Sequence, residues 1–181
     1  MTKKILILPL LLAVTAVVYA QDKGGQPVTV KYVDLKKYAG LWYEIARMPN
    51  RFQSDCTGNT TARYTLSEDG NIRVVNSCSE NDGSKESVEG VAKIVDKKTN
   101  AKLKVSFFSI LGIRPFWGDY WIIGLDDEYS YAVIGTPDRK YGWILSRTPQ
   151  LGEAETKEAY KILVRNGYEP AKFIPTAQKS K

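Results

Sequence analysis

Eight short strand-like runs follow one another between residues 40 and 147, and turn chemistry closes off each of them. They fall at 40–48, 58–66, 71–77, 87–96, 102–108, 117–125, 129–136 and 141–147. The segments "SEDGN", "ENDGSKE", "DKKTNA", "DDE" and "TPDRK" between them are rich in residues that preset or tolerate tight reversals. Strands joined mostly by short hairpins predict an all-β, antiparallel up-and-down meander. Closing eight such strands into a barrel removes the adhesive sheet edges and leaves room for one small ligand. A two-sheet sandwich has the same periodicity and stays open as an alternative at this point.

Alternation assigns the faces. In "KLKVSF" Leu103, Val105 and Phe107 share one parity, with Lys102, Lys104 and Ser106 on the other, so the first three face an apolar interior. In "SVEGVAKI" the inward set is Val88, Gly90, Ala92 and Ile94, whose small members enlarge a cavity instead of filling it. After the last strand the period changes. Ala159, Ile162 and Leu163 fall at helical spacing, glutamates gather at the N-terminal end and Gly167 stands as a C-cap. This predicts an amphipathic helix packed on the outside of the barrel; its narrow apolar stripe and mixed charges argue against a membrane-surface helix. The run "KFIPT" is expected to add a short terminal strand.

Residues 1–20 read as an export leader: Lys3 and Lys4, then "ILILPLLLAVTAVV", then Val18 and Ala20 ahead of a cleavage point. The apolar run is short for a bilayer-spanning helix, which needs about 20 residues. Gln21 stands where a bacterial lipoprotein has its lipidated cysteine, so the exported protein is expected to be soluble, periplasmic or secreted. Residues 21–30 read as a flexible linker, 31–176 as the barrel domain with its helix, and 177–181 as a tail. Without Lys3 and Lys4 the chain keeps 24 basic and 20 acidic residues, a net +4 spread along its length. That distribution is no nucleic-acid footprint. An exported chain with two cysteines most economically forms one disulfide, here Cys56–Cys78, because the "SEDGN" hairpin folds both towards one end; two free thiols are the alternative.

Two stretches carry a family resemblance. "GLWYEIARMPNRFQ", from Gly40, resembles the Gly-x-Trp-Tyr signature of the lipocalins, and "YAVIGTPDRKYGWILSRTP", from Tyr131, resembles the later conserved stretch of their bacterial branch. That branch includes relatives of apolipoprotein D and of the plant temperature-induced lipocalins. The resemblance implies that Gly40 and Trp42 close the barrel base and that Arg147 lies across the Trp42 ring. It also implies a fatty acid or lysophospholipid as ligand, with dimers known in the branch. Physically, a guanidinium over an indole contributes roughly 0.5–2 kcal/mol and can donate to nearby carbonyls. These three residues are therefore expected to be structural and to touch no ligand.

The chain has no histidine. Histidine-based acid–base chemistry, nucleophile activation and metal ligation are excluded, and no phosphate loop or dinucleotide fingerprint is present. No cofactor and no metal is expected. An enzyme of this kind would need a reactive thiolate, for which Cys56 and Cys78 are the sources, and a disulfide between them forecloses it. A carrier of a lipophilic molecule is the expectation. A lipid-scavenging stress component without dedicated cargo is the second reading. If Arg147 marks the base, Tyr141 and Trp143 on the same strand point inward nearer the mouth. The expected ligand-binding set is Tyr64, Val88, Ala92, Leu103, Val105, Phe107, Arg114, Trp117, Tyr141 and Trp143. The segment "SILGIRPFWGDYW", from Ser109, is too apolar for an ordinary surface turn. It is expected to cap the mouth, pair with a second copy or touch a membrane, with Arg114 meeting an anionic headgroup.

Overall fold

A computed structural model describes residues 25–179. The expected leader lies outside the described residues, as do the first four positions of the expected linker and the last two of the tail. Eight strands form the wall: β1 (Gly40–Arg47), β2 (Cys56–Leu66), β3 (Ile72–Glu80), β4 (Lys85–Ile94), β5 (Lys102–Ser106), β6 (Gly118–Leu125), β7 (Tyr131–Gly135) and β8 (Gly142–Ser146). Each pairs antiparallel with the next, and β1 pairs with both β2 and β8. The sheet is thus a closed up-and-down barrel, and the sandwich alternative falls because no edge separates two sheets.

Alternation along the wall sorts apolar side chains into two layers. Trp42, Tyr64, Val74, Ala92, Leu103 and Leu145 belong to the buried interior cluster. Trp121, Ile123, Val133 and Ile144, of opposite parity, pack outside with Ala159 and Leu163 of the long C-terminal helix. A one-turn helix, α1 (Leu35–Tyr38), precedes β1, and the long C-terminal helix is α2 (Glu153–Arg165), the partner of that outer layer. Gly167, at φ +77°, turns the chain out of α2, and the amides of Gly167 and Tyr168 cap the carbonyls of Val164 and Leu163 at 2.9 and 3.0 Å. The Tyr168 hydroxyl then accepts from the Thr136 amide at 2.8 Å and donates to the Tyr141 carbonyl at 3.0 Å, which pins α2 to the β7–β8 turn.

Both ends of the described segment are bound to the barrel. From Pro27, which is buried, the expected linker lies along the wall: the Val30 amide donates to the Ile122 carbonyl at 3.0 Å and Val33 to Thr99 at 2.8 Å. A short strand β9 (Ile174–Pro175) pairs with Ala46 and Arg47 of β1. The expected tail continues as a seam strip. β1 and β2 pair from Gly40↔Tyr64 to Tyr43↔Thr61 and then part. Into that gap go Ala177, whose carbonyl accepts the Asn59 amide at 2.7 Å, and Gln178, whose amide group donates to the Glu44 and Thr60 carbonyls at 2.8 Å each. The Cys56–Cys78 disulfide forms as expected, with Cα atoms 5.6 Å apart, and ties the start of β2 to the upper part of β3. Among the described residues no helix is long and apolar enough to cross a membrane.

Candidate functional site: the barrel interior and its mouth

The base is sealed as a unit. The Arg147 guanidinium carbon lies 3.8 Å from the centre of the Trp42 ring. Its nitrogens donate to the carbonyls of Leu41 (2.9 Å), Lys37 (2.5 Å), Tyr38 (3.2 Å) and Tyr129 (3.3 Å). The Trp42 indole donates to the Tyr38 carbonyl at 2.8 Å. Asp34 caps α1, its carboxylate accepting the Lys36 and Lys37 amides, and so holds that helix across the closed end. Gly40 has φ +103°, and a Cβ there would stand 3.2 Å from the Arg147 guanidinium. Only glycine meets both conditions without strain.

Above this floor, Tyr64 is buried and joins a group the sequence reading missed. The Tyr120 hydroxyl is 2.7 Å from that of Tyr38 and 2.9 Å from that of Tyr64. Burial, with the neighbouring phenols, pushes Tyr38 and Tyr120 well above the ordinary tyrosine value, and burial pushes Tyr64 up to about 12. A phenol held neutral by the fold stabilises it fully below the unfolded value near pH 10, and that contribution falls as pH rises through the folded value. Alkaline titration followed by tyrosinate absorbance is therefore expected to show a late group that ionises only as the barrel unfolds. Replacing all three tyrosines by phenylalanine should flatten the alkaline limb of the stability profile.

Ala92 and Leu103 are buried in the interior cluster, with Val105 and Trp143 packed against it. Phe107 lies over Gly90, where a Cβ would come within 2.5 Å of its ring, so this glycine makes the space that the ring occupies on the inner face. Val88 shares that parity but stands at the rim, 41% exposed. Tyr141 stacks on Trp143 with centroids 6.2 Å apart and meets Phe52 at 5.7 Å, which forms an aromatic side of the mouth.

Two expected members sit elsewhere. Gly118 pairs with Val105, an inward position, so Trp117 one residue earlier falls on the outer face; there the Lys93 ammonium lies 4.1 Å above its ring. Arg114 folds back on the wall, donating to the Ser106 carbonyl at 3.0 Å. With Arg73, whose hydrogen bond acts first, it holds the exposed Glu89 carboxyl below its usual range. Neither joins the interior. The loop also does not cap the mouth with its apolar side chains: Ile110 and Ile113 form a tight turn whose tip, Leu111, is 98% exposed, and Phe116 is exposed as well.

A buried polar network beside the mouth was also missed. Glu44 and Arg47 form an ion pair at 2.9 Å with both side chains nearly inaccessible. Gln53 donates to Glu44 at 2.7 Å and accepts the Trp143 indole at 3.0 Å, and Thr176 donates to Glu44 at 2.5 Å. The cause is an irregularity of β1 between Glu44 and Ala46 against β8, which puts Ala46 in the outer layer and turns Arg47 towards Glu44. Among the described residues no cluster of three metal-ligating side chains occurs.

A model of the lipocalin-like domain matches residues 33–178. The chain is 43% identical to temperature-induced lipocalin-1 of Arabidopsis thaliana over 152 residues, covering 82% of this chain and 81% of that one. It is 41% identical to the outer membrane lipoprotein Blc of Escherichia coli K12 over 174 residues, covering 93% and 95%. Among solved structures, insecticyanin of the tobacco hornworm Manduca sexta superposes with a TM-score of 0.69 at 25% identity, covering 84% of each chain. A sealed tryptophan–arginine base, a closed eight-stranded wall and this breadth of similarity lead to one conclusion: the chain belongs to the lipocalin family.

Proposed function

We propose that this protein binds a small lipophilic molecule, a fatty acid or lysophospholipid, inside its barrel and carries or stores it in the cell envelope after export. One observation carries the reading: a wall of small and apolar residues runs from a sealed base to an aromatic-sided rim. Such an interior matches the general make-up of small-molecule sites, apolar with a few orienting polar groups. The ligand-facing set comprises Tyr64, Ala92, Leu103, Val105, Phe107 and Trp143, with Val88 and Tyr141 at the rim. A binding role is favoured over a thiol-dependent enzyme because both cysteines are joined in the disulfide. The exposed tip at Ile110, Leu111 and Ile113 supports transient contact with the membrane surface that supplies the cargo.

The test is mass spectrometry of organic extracts from protein purified out of the periplasm. A stoichiometric acyl lipid is expected. An unselective mixture would favour the scavenger reading. No lipid, together with no change in tryptophan fluorescence on adding fatty acids, would exclude the carrier. Trp143→Ala is expected to weaken fatty-acid binding by about tenfold or more, equivalent to ~1.4 kcal/mol, while shifting the unfolding midpoint little because the ring is only partly buried.

A further inference from the structure

The floor of the interior is not apolar. Tyr38, Tyr64 and Tyr120 bring three hydroxyls together above Trp42, and their two O···O contacts of 2.7 and 2.9 Å define a chain with Tyr120 in the middle. Three neutral hydroxyls carry three protons, and two hydrogen bonds consume two of them. One O–H is therefore left to donate beyond the group, whichever direction the chain runs. Tyr38 and Tyr64 are buried, and the side chains packed around the group are those of the interior cluster. Two further buried oxygens, Asn76 Oδ1 and Thr60 Oγ1, have no hydrogen-bond partner among the described residues. Asn76 pairs with Ala62 and Val88, which places it on the inner face of the adjoining wall.

A buried donor left unmade is costly, and a purely hydrocarbon cargo would leave it so. The group is also a poor seat for a negative charge. The Arg147 guanidinium lies over the Trp42 ring with its donors spent on backbone carbonyls. A neutral oxygen satisfies the spare proton without bringing a charge into the interior. Resting on the carrier reading above, we infer that the deep end of the barrel recognises a neutral oxygen, a hydroxyl or carbonyl on the acyl chain of the cargo, through the Tyr38–Tyr120–Tyr64 group. A charged headgroup then stays at the mouth, and the cargo is an oxygenated acyl lipid held at two points.

The experiment is a competition assay against the apolar fluorophore N-phenylnaphthylamine. It uses stearate, stearate hydroxylated at mid-chain and stearate hydroxylated beside the carboxyl, on the wild-type protein and on Y38F/Y64F/Y120F. Wild type is expected to bind the mid-chain hydroxy acid about five- to tenfold more tightly than stearate, the factor one net hydrogen bond supplies. The acid hydroxylated beside its carboxyl should gain nothing, because its hydroxyl stays at the mouth. In the triple variant the preference should vanish, the mid-chain hydroxy acid binding no more tightly than stearate, because no hydroxyl is left to donate. Equal affinities for all three acids in wild type would overturn the inference and leave the carrier reading standing; this holds even if the triple variant fails to fold. A preference that survives in a folded triple variant would also overturn it. If none of the three displaces the fluorophore, the carrier reading itself fails.

Discussion

Trp42→Ala is expected to lower stability by about 3–5 kcal/mol, the usual cost of emptying a buried large aromatic site. Trp42 is fully buried, so nothing on the surface can relax into the space. More than one ring is lost. The Arg147 guanidinium loses the face it covers and the Tyr38 carbonyl loses the indole donor, so α1 loses part of its hold on the closed end. Denaturant unfolding reads the effect as a lower midpoint. If the midpoint stayed and cargo binding disappeared, the tryptophan would belong to the mouth, and the base and mouth would have been exchanged.

Arg47→Ala should be of similar size, about 3–5 kcal/mol, for a different physical reason. Removing one member of a buried ion pair leaves the other charge without compensation. Glu44 would keep Gln53 and Thr176 as donors but lose its cation in a place that water hardly reaches. The double variant Glu44→Gln/Arg47→Met should be far less destabilised than the single one, because it leaves no bare charge. A double-mutant cycle on unfolding free energies checks this. If both single changes were mild and additive, the pair would be surface-like despite its burial.

How much of this could be read beforehand varied with the kind of interaction. Strand positions were legible because "SEDGN" and "TPDRK" stop one element and start the next by local chemistry. Parity inside a regular strand was legible for the same reason, and Leu103, Val105 and Ala92 lie inside. The path of the long loop after β5 has no such periodicity to fix it, and Trp117, expected among the ligand-binding residues as part of a loop over the mouth, stands on the outer wall beneath Lys93. The Glu44–Arg47 pair depends on a break in alternation that no local signal announces. The three tyrosines come from α1, β2 and β6, and only the closed topology brings them together.

The strip at Ile174–Gln178 has a consequence for the order of events during biogenesis. It fills the gap between β1 and β2, so Glu44 waits for a partner made 134 residues later. A ribosome making about 5–20 residues per second releases that strip well after β1. Until then the upper half of β1 has an open flank, and Glu44 lacks the Thr176 hydroxyl. The chain is therefore slow to lock, as expected for pairings of such long sequence separation.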